Sequence, residues 1–70
     1  MKRKSVESSN IRSVGYDKKK KILEIEFKDG SVYQYLQTPI SEYDFIMNAE
    51  SHGQYLAQNI KGKYDFRKTR

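Results

Sequence analysis

Cysteine is absent from the 70 residues. That excludes a disulfide framework, a thiolate metal cage and a cysteine nucleophile. Histidine occurs once, as His52, with Glu50 nearby and no second set of ligands at suitable spacing, so no metal site is expected. No apolar run approaches the length of a membrane span. The opening MKRKSVESSN is basic but has no hydrophobic stretch after it, so a signal peptide is not expected and a cytoplasmic location is. There is no P-loop, no GxGxxG and no Ser–His–acid ordering. Internal repeats and low-complexity linkers are missing too. These absences point away from an enzyme, and no catalytic residue or cofactor is expected. Glu24 and Glu26 share a strand face, but neighbouring carboxylates on a water-exposed sheet are common.

The chain has length for one small domain. A chain this short buries only about 60% of the surface its unfolded form exposes. A shallow face, or a site between two copies, is easier to build than a deep dry pocket. Positive charge is what the sequence has in excess: 14 Lys+Arg against 9 Asp+Glu, a formal charge of +5. Three clusters carry ten of the basic residues: Lys2, Arg3 and Lys4; the run Lys18, Lys19, Lys20 and Lys21; and Arg67, Lys68 and Arg70. A polyanion such as RNA or DNA would be attracted to them, although charged termini and loops also serve solubility.

Residues 1–7 read as a flexible basic arm, 8–66 as a single domain and 67–70 as a basic tail. Asn10–Asp17 is β-branched and aromatic and predicts a first strand. Lys21–Phe27 predicts a second, with Leu23, Ile25 and Phe27 on one side and Glu24 and Glu26 on the other. Asp29-Gly30 is a two-residue hairpin signal, and Ser31–Gln37 follows as the third strand. With that turn, Phe27 lies opposite Val32, Ile25 opposite Gln34 and Leu23 opposite Leu36. Tyr33 and Tyr35 then fall on the other face, beside Glu24 and Glu26. A four-residue loop over Asp17–Lys20 places Tyr16 opposite Lys21 and Val14 opposite Leu23, and sends Ile11 and Ser13 to the tyrosine face.

Pro39 suits a first helical turn, with Thr38 or Ser41 as cap. Ile40, Tyr43, Ile46 and Met47 recur at helical spacing and should face the sheet. Ser51 can cap a second, shorter helix with Leu56 and Ile60 as its apolar pair and Gly62 at its end. The expected fold is α+β: a three-stranded antiparallel meander followed by two short helices packed on one sheet face.

The ordered set SSNIRSVGYD, LEIEFKDGSVYQY, a proline and AESHGQYLAQNI resembles the KTSC domain. The likeness spans about residues 6 to 64 and centres on Tyr33-Gln34-Tyr35, with Ser51-His52-Gly53 after the first helix. That family is named for the C-terminus of some lysyl-tRNA synthetases and also occurs as a free-standing small protein in bacteria and phages. The resemblance implies a small domain for which the synthetase context points to RNA. The more basic termini and loop are a departure from the family.

Exposed tyrosines on a sheet make a platform for stacking bases, or else pack across strands. The candidate ligand-binding residues are Tyr33, Tyr35, Ser9, Asn10, Arg12, Ser13, Ser51, Gly53, Tyr55 and Asn59. In this set Arg12 would supply a bidentate fork for an anion. The candidate phosphate contacts are Lys18, Lys19, Lys20, Lys21, Lys61, Lys63, Arg67 and Lys68. Two readings follow. One is a nucleic-acid-binding module, RNA above all. The other is a protein-interaction module or phage-type inhibitor, with a variant in which an oligomer holds a small nucleotide.

Overall fold

The computed structural model describes residues 1–70. Strands β1 (Arg3–Ser5), β2 (Ile11–Asp17), β3 (Ile22–Phe27) and β4 (Val32–Tyr35) lead into helix α1 (Ile40–Asn48). Helix α2 (His52–Tyr55) runs on into a π-helical turn, Leu56–Ile60, and strand β5 (Phe66–Lys68) ends the chain's regular structure. The five strands form one antiparallel sheet in the order β1-β2-β3-β4-β5.

The sheet therefore has five strands and not the expected three. Both extra strands come from the charged termini. β1 pairs along β2, and β5 returns after the helices to pair along β4. Strands of three residues, Arg-Lys-Ser and Phe-Arg-Lys, are too short and too charged to carry a period-2 apolar pattern, so their pairing has no signature in composition. What holds them is specific. Arg3 lies opposite Gly15, where a Cβ would come within 2.8 Å of the Lys2 carbonyl oxygen and 2.9 Å of Arg3 Cγ. β5 is fastened by Leu36 N–H to Asp65 O and Val32 N–H to Arg70 O, both at 2.8 Å.

The two hairpins both differ in register from expectation, with opposite consequences. In the first, Asp17 pairs with Ile22, so the loop is Lys18–Lys21; Tyr16 faces Leu23 and Val14 faces Ile25. Asp17 Oδ1 accepts from Lys19 N–H and Lys20 N–H and shapes this loop, and Lys21 has φ +55°. The slip is two residues, and an even slip keeps every side chain on its face. In the second hairpin, Phe27 N–H donates to Ser31 O and Gly30 N–H to Phe27 O. The loop is thus Lys28-Asp29-Gly30, with Gly30 at φ +93°. That is a turn closed by a left-handed residue, the other common hairpin connection beside the two-residue one. The slip here is one residue, and it exchanges the faces of β4. Ile25 lies opposite Tyr33 and Leu23 opposite Tyr35, while Val32 and Gln34 face Glu26 and Glu24. A bulge at Arg12 likewise turns Ile11 toward the core, where it pairs with Phe27.

The helices cover the face bearing Leu23 and Ile25. The core consists of Ile11, Val14, Leu23, Ile25, Tyr35, Ile46, Leu56 and Ile60, all at 2% exposure or less. Ile46 enters it, Tyr43 stacks on Tyr16 and Met47 packs at its margin. Ile40 does not face the sheet and is 42% exposed. Neither Thr38 nor Ser41 caps α1: Pro39 holds that position, and Thr38 Oγ1 donates back to Tyr35 O and Leu36 O. Ser51 does cap α2, accepting from Gln54 N–H at 3.2 Å. His52 Nδ1 sits 2.7 Å from the Ile46 carbonyl oxygen and donates to the end of α1.

Candidate functional site

The exchange of faces on β4 moves the tyrosines away from the glutamates and under the helices. Tyr35 is only 2% exposed, and Tyr33 is half-buried beside it. Burial, with the neighbouring Tyr33, pushes the Tyr35 hydroxyl above its ordinary value. The open face keeps Glu24 and Glu26, with Ser13, Val32 and Gln34 beside them and without the rings expected there.

On the helix side, Tyr33 helps to floor a cleft of about 630 Å³. It opens where three segments meet: the Ser9–Asn10 approach to β2, the Lys28–Ser31 hairpin loop, and Lys61–Gly62 after the π-helical turn. The floor is aromatic. Tyr33 meets Phe27 edge-on at 5.6 Å between ring centres, and Phe66 from β5 lies at 5.6 Å from Tyr33 and 5.9 Å from Tyr35. Phe66 is 58% exposed. Basic groups stand around this floor. Lys28 and Lys61 line the cleft, with Lys61 Nζ 6.0 Å from the Phe27 ring centre, and Lys68 pairs with Tyr33 across β4–β5. Apolar walls with a few convergent polar groups are the usual build of a ligand site.

Asn10 and Gly53 are brought together beside this opening. A Cβ at Gly53 would stand 2.6 Å from Asn10 Oδ1, so glycine lets Asn10 pack against the start of α2. The rim segment after the π-helical turn is pinned from α1. Glu42, at 5% exposure, accepts from Tyr55 Oη at 2.6 Å and from Tyr64 Oη at 2.7 Å. Lys63 Nζ lies 3.5 Å from the same carboxylate. Burial drives the Glu42 pKa up, but the two hydroxyl bonds and Lys63 outweigh it and hold the carboxyl below the ordinary glutamate range. Burial and the carboxylate together push Tyr55 and Tyr64 up to about 12.

Of the residues expected to bind, Ser9, Asn10, Tyr33, Tyr35 and Lys61 line the cleft and Lys68 flanks it. The others lie elsewhere or are engaged. Ser51 is a helix cap, Tyr55 is bonded to Glu42, and Asn59 Nδ2 donates to Tyr55 O. Ser13 is buried on the open face, where it donates to Glu26. Arg12 Nη2 donates to Lys28 O, and Arg67 Nε to Gln34 Oε1 on that same face. Lys63 is paired with Glu42. Lys18, Lys19, Lys20 and Lys21 join the ends of β2 and β3 remote from the Lys28–Gly30 loop, about 20 Å away by the length of β3.

Phe27, Lys28, Asp29, Ser31, Gly62 and Phe66 also line the cleft and were not foreseen in it. The signal for the first four was the hairpin itself: reading KDG as a three-residue loop puts Phe27 and Tyr33 on one face. Phe66 had no comparable signal, because its place depends on β5.

The chain matches the KTSC domain family over residues 7–64. It is similar to a KTSC domain protein from Yersinia pestis of known crystal structure, with a TM-score of 0.92 and 41% identity over 99% of this chain and 97% of that one. It is 38% identical over 64 residues to an uncharacterized protein of Stutzerimonas stutzeri, covering 91% of this chain and 90% of that protein. It is also 43% identical over 60 residues to a lysine–tRNA ligase of Nostoc punctiforme, covering 86% of this chain but only 11% of the ligase.

Proposed function

The chain belongs to the KTSC domain family, and from that premise we propose that it is a non-enzymatic binding module for single-stranded nucleic acid, RNA above all. The observation that carries this reading is the cleft with an aromatic floor and lysines at its rim. Every base has a flat face that stacks on such rings, and the backbone phosphates need cations beside them. Tyr33 and Phe66 offer the stacking surface, and Lys28, Lys61 and Lys68 the charge. Glu24 and Glu26, which would repel phosphate, are on the far side of the sheet. The chain has no cysteine, and no group of three or more His, Cys, Asp or Glu side chains is placed to hold a metal. Relatives that carry a similar segment are named lysine–tRNA ligase, which favours RNA as the ligand. No helix is long and apolar enough to cross a membrane. Lys18, Lys19, Lys20 and Lys21 serve as a second contact for a strand long enough to reach along the sheet.

Anisotropy of a labelled single-stranded oligoribonucleotide over a salt series tests this. Affinity should fall linearly on a log–log plot with a slope of about −2 if the three lysines each meet a phosphate. Phe66→Ala and Tyr33→Ala should each cost about 1–3 kcal/mol of binding with the slope unchanged. Lys61→Ala should flatten the slope by about 0.7. Binding that ignores salt, or that survives both aromatic substitutions, refutes the proposal.

A further inference from the structure

One group in the cleft is unsuited to a polyanion. Asp29 is the only carboxylate among the lining residues. Its turn role uses one oxygen: Oδ1 accepts from Ser31 N–H at 2.9 Å and from Ser31 Oγ at 2.6 Å. Oδ2 takes part in no hydrogen bond within the chain. Glu7, Asp44, Glu50 and Asp65 are exposed and unbonded too but do not line the cleft, whereas the glutamates packed on the sheet and on α1 are fully engaged. Glu24 engages both oxygens, with Gln34 and Arg3. Glu26 engages both, with Ser13 and Arg70. Glu42 engages both, with Tyr55 and Tyr64. The two Ser31 bonds, aided by Lys68, hold the Asp29 carboxyl below its ordinary value, so at neutral pH it is an acceptor only.

We propose that Asp29 accepts a hydrogen bond from a ribose 2′-hydroxyl, so that the cleft selects RNA over DNA. A carboxylate beside phosphate-binding lysines repels the backbone unless a donor on the ligand meets it. The donor that an RNA strand has at every sugar, whatever its base, is the 2′-hydroxyl, and DNA lacks it. A hydrogen bond to a charged acceptor is among the stronger kinds, and losing the donor leaves the carboxylate facing the strand unpaired. The proposal rests on the nucleic-acid reading of the same cleft.

The test compares oligouridylate with oligodeoxyuridylate of equal length, which differ only at the 2′ position, on the native protein and on Asp29→Asn. An asparagine Oδ1 can still accept from Ser31 N–H, and Asn-Gly suits the loop, so the fold is kept. The native protein should prefer the ribose strand by about tenfold. Asp29→Asn, whose amide can meet a 2′-hydroxyl only as a neutral partner, should cut the ratio to about threefold, even though removing a negative charge strengthens binding of both strands. The ratio is the readout, because a residue that only shaped the turn would move both affinities together. Equal binding of the two strands by the native protein, or a preference unchanged in Asp29→Asn, overturns the 2′-hydroxyl assignment while leaving the nucleic-acid reading standing. Absence of binding to either strand overturns both.

Discussion

The two faces of the sheet are made from alternate residues of the same strands, yet they are held by different forces. The helix-covered face buries aliphatic side chains and ends in an aromatic cleft. The open face is a belt of charges and amides. Arg3 reaches Glu24 and, through Nε, Ser13; Gln34 bridges Glu24 to Arg67; Glu26 takes Ser13 and Arg70. The Ser13 bond comes first, and Arg3, Arg12 and Arg70 add to it, in holding the Glu26 carboxyl below its ordinary range. Apolar burial is not screened by salt, whereas partly exposed ion pairs are, in part. The helix face thus supplies most of the stability. The belt's main task is to fasten the two terminal strands to the rest.

Substitutions on the two faces separate these contributions. The largest effect should come from Ile46→Ala, which leaves a hole at the centre of the core and should cost about 2–5 kcal/mol in chemical denaturation, the same at low and high salt. Next is Glu42→Gln, expected at about 1–3 kcal/mol, because an amide replaces a buried ionised acceptor of two half-buried hydroxyls. This site also sets a pH dependence. The folded pKa of Glu42 is depressed, so its contribution is present above the ordinary 4.5 and is lost as pH falls through the lower folded value. Tyr55 and Tyr64 are raised from 10.0 to about 12, so their contribution is complete below pH 10 and is lost as pH rises toward 12. Thermal melts across pH should show both shoulders in the native protein and a weaker acid one in Glu42→Gln.

On the open face, Arg3→Ala should cost about 1 kcal/mol at low salt and less at high salt, with β1 exchanging its amide hydrogens first. A loss that is the same at all salt concentrations would mean that Arg3 acts by packing over Gly15 and not by charge. The smallest effect on stability is expected from Gly53→Ala. The added methyl displaces the flexible Asn10 side chain, and the better helix propensity of alanine offsets the strain. Its melting temperature should stay within a few degrees of native while ligand affinity at the cleft changes, which would separate the shape of the site from the stability of the fold.

The strands β2, β3 and β4, the Ser51 cap, and the burial of Leu56 and Ile60 are all legible in local pattern, because each depends on residues a few positions apart. The candidate site is legible only in part. Ser9, Asn10, Tyr33, Tyr35 and Lys61 could be named from the chain. The face on which the tyrosines lie could not, because a single extra loop residue reverses it. The same KDGS is compatible with a two-residue or a three-residue turn, and the choice depends on which rings the helices can cover. Burial of Tyr35 on the helix side favours the longer loop.

Composition and periodicity alone therefore determined an α+β domain with an antiparallel meander and a helical segment behind it, without cysteine. Local propensities and alternation reach that far, since they are properties of neighbours in sequence. Tertiary structure decided the rest: that both charged termini are edge strands, that Lys18–Lys21 stands at the end of the sheet away from the cleft, and that Phe66 joins Tyr33 in its floor. The C-terminal edge strand brings together residues some thirty to forty positions apart, such as Gln34 with Arg67 and Gly30 with Arg70. Pairings at that separation are selected by the hydrogen bonds and burial of the whole sheet, and no short window of sequence contains them.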